Sequence, residues 1–214
     1  MARKRISRRG NRGPEFLSVA RSLFFKRGYN GTTIEKVAER AGFSKRTVYL
    51  YFKNKDELFV SVAVEGVEIF RDRLKSVEAE GMTFQQAMDG MLRVYFEFAE
   101  EHPDYFRIIF KDLTHQMIEN VSEELKSRML ALELECLQFA LDVVDKGTLP
   151  EAVDPLDVAI VFWTAFTGIL LLADGGSQTV FTRKTREAML EKATMIIYRG
   201  LGVSVPAQRT LAAL

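Results

Sequence analysis

From Pro14 almost to the end of this chain, apolar residues recur at every third or fourth position, and no stretch alternates apolar with polar residues at period two. Such spacing gathers side chains on one face of an α-helix, whereas a half-buried strand requires alternation. The fold class this predicts is all-α, helix packed on helix. A chain of 214 residues can bury a core without covalent staples. Its one cysteine, Cys136, cannot form an intrachain bridge, and its neighbours LELECLQFAL read as a single amphipathic helix. A buried structural thiol in a reducing cytoplasm is the expectation.

Turn and capping residues divide the helical text. Pro14 suits the first turn of a helix whose stripe is Phe16, Leu17, Ala20, Leu23 and Phe24, and Gly28 ends it. Thr32-x-x-Glu35 has the spacing of a capping box and opens a second helix of about ten residues, with Ile34, Val37, Ala38 and Ala41 turned inward and Gly42 as its stop. Ser44 then caps a third helix that runs to about Phe52. Only Gly42-Phe43 separates the two, as short as a helix-turn-helix connection requires. Asn54 caps a long fourth helix with Asp56 and Glu57 in its first turn, where the dipole favours acids, and its apolar seam continues from Leu58 toward Val77. Beyond Gly81 the pattern predicts helices near 83–101, 103–113, 118–146, 155–174 and 183–201. Pro103 and Pro155 sit in first turns, and Asp154 caps the helix at 155.

The net charge of +1 conceals a division. Residues 1–55 hold 15 Lys and Arg against 3 Asp and Glu, a net of +12, and residues 56–214 hold 15 against 26, a net of −11. The first part is built to meet a polyanion and the second to repel it. Nucleic acid and an anionic membrane both qualify. The most apolar run, VAIVFWTAFTGILLLA at 158–173, has 16 residues where a bilayer span needs about 20, and Asp157 and Asp174 flank it without Lys or Arg. It predicts a buried helix, and no membrane partner is expected. Residues 1–13 contain six Arg or Lys and one sizeable apolar residue after Met1, Ile6, and so form a disordered basic arm. That arm either enters a minor groove or adds non-specific attraction.

In the third helix Val48 and Phe52 face the core, leaving Lys45, Arg46, Thr47, Tyr49, Leu50 and Tyr51 around the rest of the circumference. An α-helix fits the major groove of B-DNA, its first side chains reaching base edges while hydroxyls and lysines at its flanks donate to phosphates. Lys45 or Arg46 can pair with guanine O6 and N7, and a tyrosine offers an apolar body with a donor tip. The stretch TTIEKVAERAGFSKRTVYLYFKNKDELF resembles the helix-turn-helix signature of the TetR (tetracycline-repressor) family: a T-T pair, A-G at the turn, S-K, T-V-Y-x-Y-F and K-x-x-L in order. The likeness covers about residues 14–60. EEHPDYFRIIF and KGTLPEAVDPLDVAIVFWTAFTGIL are similar to the family's variable ligand-binding part. The resemblance implies a DNA-binding domain at 14–57 and a helical ligand-binding and dimerisation domain at 58–214. By position it implies Thr33 as a phosphate contact at the start of the second helix and Lys45, Arg46 and Thr47 as the base-reading group. Ser44 caps that group. Tyr49, Tyr51 and Lys55 are implied as phosphate contacts. Arg46 is larger than the residue many relatives carry there.

The remaining 150 or so residues exceed what DNA reading needs. The 155–174 helix is apolar all round and must be covered on several faces. The last helix adds Met189, Leu190, Ala193, Ile196, Ile197 and Leu201. The resemblance implies that these two helices form a four-helix dimer interface, with Phe162, Ile169, Met189, Ala193, Ile196 and Ile197 in it. A homodimer also follows from the DNA side, since one short helix reads too few base pairs and a two-fold pair suits a palindromic operator. Tyr95, Phe98, Tyr105, Phe106, Phe110, Met117, Phe139, Trp163, Phe166 and Thr167 can line an apolar pocket with a few polar handles, the usual make-up of a small-molecule site. The same residues are equally those that fill a core. No nucleophile elbow, phosphate loop or HExxH pattern is present, and the only histidines, His102 and His115, stand thirteen apart. Neither catalysis nor a metal or cofactor is expected. The function predicted is a ligand-responsive repressor that leaves its double-stranded operator when an apolar small molecule tilts the fourth helix. The alternative is a DNA-bound dimer whose C-terminal part receives a protein partner.

Overall fold

The structure, a computed structural model, describes residues 12–77, 81–151, 153–173 and 186–202. The basic arm, apart from Arg12 and Gly13, lies outside the described residues, as do Asp174 and positions 183–185 of the last predicted helix. Among the described residues the fold is all helical. The elements are α1 (Gly13–Arg27), α2 (Ile34–Arg40), α3 (Lys45–Val48), α4 (Lys55–Lys75), α5 (Phe84–Glu101), α6 (Pro103–Arg107), a π-helical turn (Ile108–Asp112), α7 (His115–Glu119), α8 (Glu123–Val144), α9 (Pro155–Ala173) and α10 (Arg186–Gly200). None of these helices is long and apolar enough to cross a membrane.

The chain divides into two compact units. The first runs through Glu68 and includes Asp112–Leu132; the second holds Ile69–Lys111 and everything from Glu133 on, so the divisions fall inside α4, the π turn and α8. In the first unit Phe16, Ala20 and Phe24 of α1, Val37 of α2, Val48 of α3 and Leu58, Phe59 and Val62 of α4 are fully buried. Phe24 meets Phe59 edge to face at 4.9 Å. Burial of each large side chain stabilises the unit by about 1.5–3 kcal/mol, and the aromatic geometry adds about 1 kcal/mol.

Three boundaries differ from those the sequence predicts. The cap of α2 is Thr33, whose hydroxyl accepts from the Lys36 amide, not Thr32. Thr32 is buried and donates its hydroxyl to the Gly28 carbonyl at 3.0 Å, so the inward phase of Ile34 and Val37 moves the cap one residue on and shortens the helix to seven residues. Regular α3 holds four residues and continues as a tightened turn, with the Leu50 and Tyr51 amides reaching back three residues. Threonine, valine and aromatic residues are weak helix formers, and the turn swings Phe52 into the core. The predicted 118–146 helix is two, α7 and α8, parted at Asn120.

In the second unit α5 starts with a reciprocal box between Thr83 and Gln86, and it buries Met88, Leu92, Tyr95 and Phe98. It also buries Asp89, which accepts a 2.8 Å bond from the hydroxyl of buried Tyr198 on α10. Helices α9 and α10 pack together. The caps expected at Asp154 and Asn54 are present: the Leu156 amide donates to Asp154 at 2.7 Å and the Glu57 amide to Asn54 at 2.8 Å. Cys136 is buried, and burial pushes its thiol up to about 11, so it stays protonated.

Candidate DNA-reading face and effector cavity

The turn between α2 and α3 is built from two backbone bonds. The Phe43 amide donates to Ala38 O at 2.9 Å and the Gly42 amide to Glu39 O at 3.1 Å, closing α2 with a Schellman motif. Gly42 takes φ +73°, a conformation that a side chain at that position would strain. Phe43 packs edge-on to Phe16 at 5.3 Å, which fixes the angle at which α3 leaves. Ser44 caps α3 by accepting from the Thr47 amide at 3.2 Å, and its hydroxyl also bonds that of Thr47 at 2.9 Å.

Around α3 the predicted contacts separate by environment. Arg46 is exposed and has no ion-pair partner among the described residues. Lys45 is exposed but paired with Glu35 of α2, and its ammonium also lies 5.6 Å from the Tyr49 ring. That pairing raises the Lys45 pKa, chiefly through the Glu35 hydrogen bond, and lowers Glu35 to about 2. Tyr49 is 45% exposed, while Tyr51 leans on Phe16 at 5.6 Å and is half-buried. Leu50 stands between them 68% exposed, an apolar side chain held toward solvent. Thr33 is half-buried, with its hydroxyl occupied as a cap.

Lys55, expected as a phosphate contact, is turned inward. Its ammonium donates to the Tyr29 carbonyl at 3.2 Å and lies 3.6 Å from the centre of the Tyr29 ring. Desolvation lowers its pKa, with Asp56 partly opposing. The Tyr29 hydroxyl donates to Asp56, and burial first, then that bond, raises the phenol's pKa. Asn120 donates to Asp56 at 2.8 Å and accepts from the Asn54 side chain through its carbonyl at 2.9 Å. Tyr29, Asp56 and Asn120 carry no motif by which spacing would pick them out. Only the acids in the first turn of α4 signal that this helix start is electrostatically built.

In the second unit Tyr95 is the hub of an aromatic cluster, with ring centres 5.8 Å from Phe70, 5.7 Å from Phe106 and 5.9 Å from Phe110. Trp163 lies 5.6 Å from Phe110, and the Tyr95 hydroxyl bonds that of Thr167. Beside this cluster is an apolar cavity of about 40 Å³, lined by Tyr95, Trp163 and Phe166 among the predicted pocket residues and also by Phe70, Leu74, Met91, Cys136, Ala140, Ala159 and Phe162. Phe98 is fully buried in the core and Phe139 is half-buried; neither lines it. Nor do Tyr105, Phe106, Phe110 and Thr167, and Met117 belongs to the first unit. Small-molecule sites usually span some 300–1,000 Å³, so this cavity is too small for one as it stands.

The predicted dimer residues divide as well. Phe162 is 6% exposed and faces the cavity, so it does not lie on the free side of α9. Leu156, Ile160 and Val161 do. On α10 Ile196 is 66% exposed and Met189, Ala193 and Ile197 are half-buried; Ile169 of α9 is half-buried. Among the described residues no group of three or more His, Cys, Asp or Glu is placed to hold a metal ion.

Two sequence profiles match the chain. Bacterial regulatory proteins of the tetR family match residues 16–62, and a tetracyclin repressor-like C-terminal domain matches residues 88–194. The transcriptional activator FasR of Mycolicibacterium smegmatis is 29% identical over 112 residues, covering 50% of this chain and 51% of FasR. The chain spans about half the length of the curated relatives it matches first. Among solved structures, AibR in complex with isovaleryl coenzyme A and operator DNA superposes with a TM-score of 0.64 at 17% identity, over 90% of this chain and 100% of that one. FadR of Bacillus subtilis in complex with stearoyl-CoA does so with a TM-score of 0.64 at 16% identity, over 87% and 98%. These likenesses are of fold. The profiles extend over both the helix-turn-helix and the C-terminal helices, and the chain belongs to the TetR family of bacterial helix-turn-helix transcriptional regulators.

Proposed function

We propose that this protein is a ligand-responsive repressor that binds a palindromic operator as a homodimer in the cytoplasm and leaves it when a small, largely apolar molecule occupies the C-terminal part. The observation that carries the reading is the α2–Gly42–α3 arrangement: a capped helix start presenting Lys45, Arg46 and Tyr49 outward while Val48 holds the helix to the core. Arg46 reads a base edge, Tyr49 donates to phosphate, and Thr33 and Ser44 bring their helix starts to the backbone. In solution the apolar positions Leu156, Ile160 and Val161 of α9 and Ile196 of α10 cover one another across a two-fold axis.

The effector enters by parting the rings around Tyr95, since a cavity of about 40 Å³ holds none of drug size. Helix α4 supports the coupling: it carries Lys55 in its first turn and, further along, Phe70 and Leu74, which line the cavity. A switch from 1:99 to 99:1 requires the effector to prefer the released state by about 5.5 kcal/mol. AibR and FadR bind coenzyme A thioesters, which favours an acyl group as the apolar portion. A protein partner in place of a small molecule is the second reading, and the small volume of the cavity favours it. The test is footprinting on DNA selected from a random pool, paired with native mass spectrometry of protein taken from cells. Two-fold protection and a co-purifying small molecule are the expected results. Protection of one asymmetric site by a monomer overturns the operator reading, and a stoichiometric polypeptide replaces the effector with a partner.

A further inference from the structure

The second unit also has a roomier hollow than the aromatic cavity. A hollow of about 270 Å³, nearly seven times the volume of the first, lies among the end of α5, α6 with the π turn, the end of α9 and the start of α10. Its wall has two chemistries. Ala99, Phe106, Leu170 and Leu171 form an apolar floor, in which Phe106 and Leu170 are buried. Around it stand Arg107, Lys111 and Arg186, with Asp104 as the one acid in the lining among the described residues.

The cations converge because Pro103, Arg107 and Lys111 succeed one another at intervals of four, which keeps them on one side of the α6–π segment, while α10 begins with Arg186. Arg107 pairs with Asp104 at 3.0 Å and Arg186 with Glu100 at 3.4 Å. Both pairs are partly exposed, and such pairs hold their partners weakly. A better anion can displace them. A merely solvated basic patch needs no hollow and no buried apolar floor, and a merely imperfect core does not place three cations around the gap. The volume corresponds to roughly nine water-sized groups, enough for a short alkyl chain with a charged head.

We propose that this hollow binds a small amphipathic anion, a chain of about eight carbons ended by a carboxylate or phosphate, with the chain on Phe106 and Leu170 and the head among Arg107, Lys111 and Arg186. The guanidinium forks suit either head. The proposal concerns binding alone and does not depend on the operator reading, because it is tested without DNA.

The experiment is isothermal titration calorimetry of the full chain with four probes: octanoate, octyl phosphate, octanol and inorganic phosphate. One or both of the anionic amphiphiles should bind at least about tenfold more tightly than octanol and than inorganic phosphate, and which one does identifies the head group. Lys111→Glu, at an exposed position, should weaken the anionic amphiphile by about fivefold or more and leave octanol unchanged. Arg107→Gln, checked for native helicity by circular dichroism, should act in the same direction. Octanol binding as tightly as octanoate and octyl phosphate, both variants binding like the parent, or no binding of either anionic amphiphile overturns the site. Loss of operator protection in a separate footprint would overturn the proposed regulator and leave these isotherms unaffected.

Discussion

At the scale of single residues, the face proposed to read DNA is shaped by which charges are already engaged. Glu35 holds Lys45 against α2, and the carboxylate also lies on the face proposed to meet phosphates. Glu35→Gln should therefore raise affinity for operator and random DNA alike by several-fold, measured by fluorescence anisotropy on both. A rise confined to operator would instead make Lys45 a base reader that Glu35 restrains. Lys55 poses a sharper question because its ammonium bonds the Tyr29 carbonyl and covers the Tyr29 ring. Loss of DNA binding in Lys55→Ala is compatible with a phosphate contact and with mere positioning of α4. The two are separated by salt: a lost phosphate contact flattens the slope of log affinity against log salt by about one, and a positioning role leaves it unchanged. The inward geometry favours the unchanged slope. Arg46→Ala should relax base preference at one position of each half-site by about 1–3 kcal/mol, read by binding to a panel of single-base operator variants.

At the scale of elements, caps decide where helices begin, and they are testable apart from function. Ser44→Ala removes the acceptor for the Thr47 amide and should lower stability by about 1 kcal/mol. Gly42→Ala forces a side chain into φ +73° and should cost about 1–2 kcal/mol, although nothing lies within 4 Å to clash. Urea unfolding with an unchanged m-value checks both. The same chemistry explains what could be read in the sequence. Helices α1, α5 and α9 fall close to their predicted spans because glycine, proline and a capping side chain mark their ends. Adjacent Thr32 and Thr33 left the start of α2 ambiguous by one residue, and only the burial of Thr32 resolves it. The π turn has no signature of its own, since a run such as RIIF fits either helix. An all-apolar α9 has no phase, so nothing in its sequence says that Phe162 turns inward and Ile160 outward. On α10 an apolar pattern passes over the face that is buried, Leu190, Thr194 and Tyr198, because the deepest contact there is the polar bond from Tyr198 to Asp89. The Ser44 cap and the outward placement of Lys45, Arg46 and Tyr49 were legible in the sequence. The inward turn of Lys55 was not, since it depends on Tyr29, 26 positions away.

For the molecule as a whole, the opposed net charges of +12 and −11 favour approach to a polyanion by one end of the sequence, and individually paired carboxylates make its stability acid-sensitive. Hydrogen bonds from Lys45, Arg73 and Lys75 lower the pKa values of Glu35, Glu101 and Glu135 below their ordinary 4.5. The unfolded chain then binds more protons than the folded one below that value, so stability should fall as pH drops from about 4.5 toward 2. Melting followed by circular dichroism between pH 6 and pH 3 checks this, and a triple Glu→Gln variant should flatten the decline. Assembly is the remaining property at this scale. Ile196 is 66% exposed on α10, and Ile160 and Val161 are about half exposed on α9, which water covers at a cost of roughly 25 cal/mol per Å² relative to burial. Because these side chains add nothing to the protomer's own core, Ile196→Glu should leave its helicity intact while an uncompensated charge disrupts a two-fold contact. Sedimentation should then show monomer where the parent is dimeric, and operator affinity should fall because two reading helices no longer arrive together. A parent protein that sediments as a monomer would overturn the proposed homodimer, and a variant that remains dimeric would place the contact on another surface.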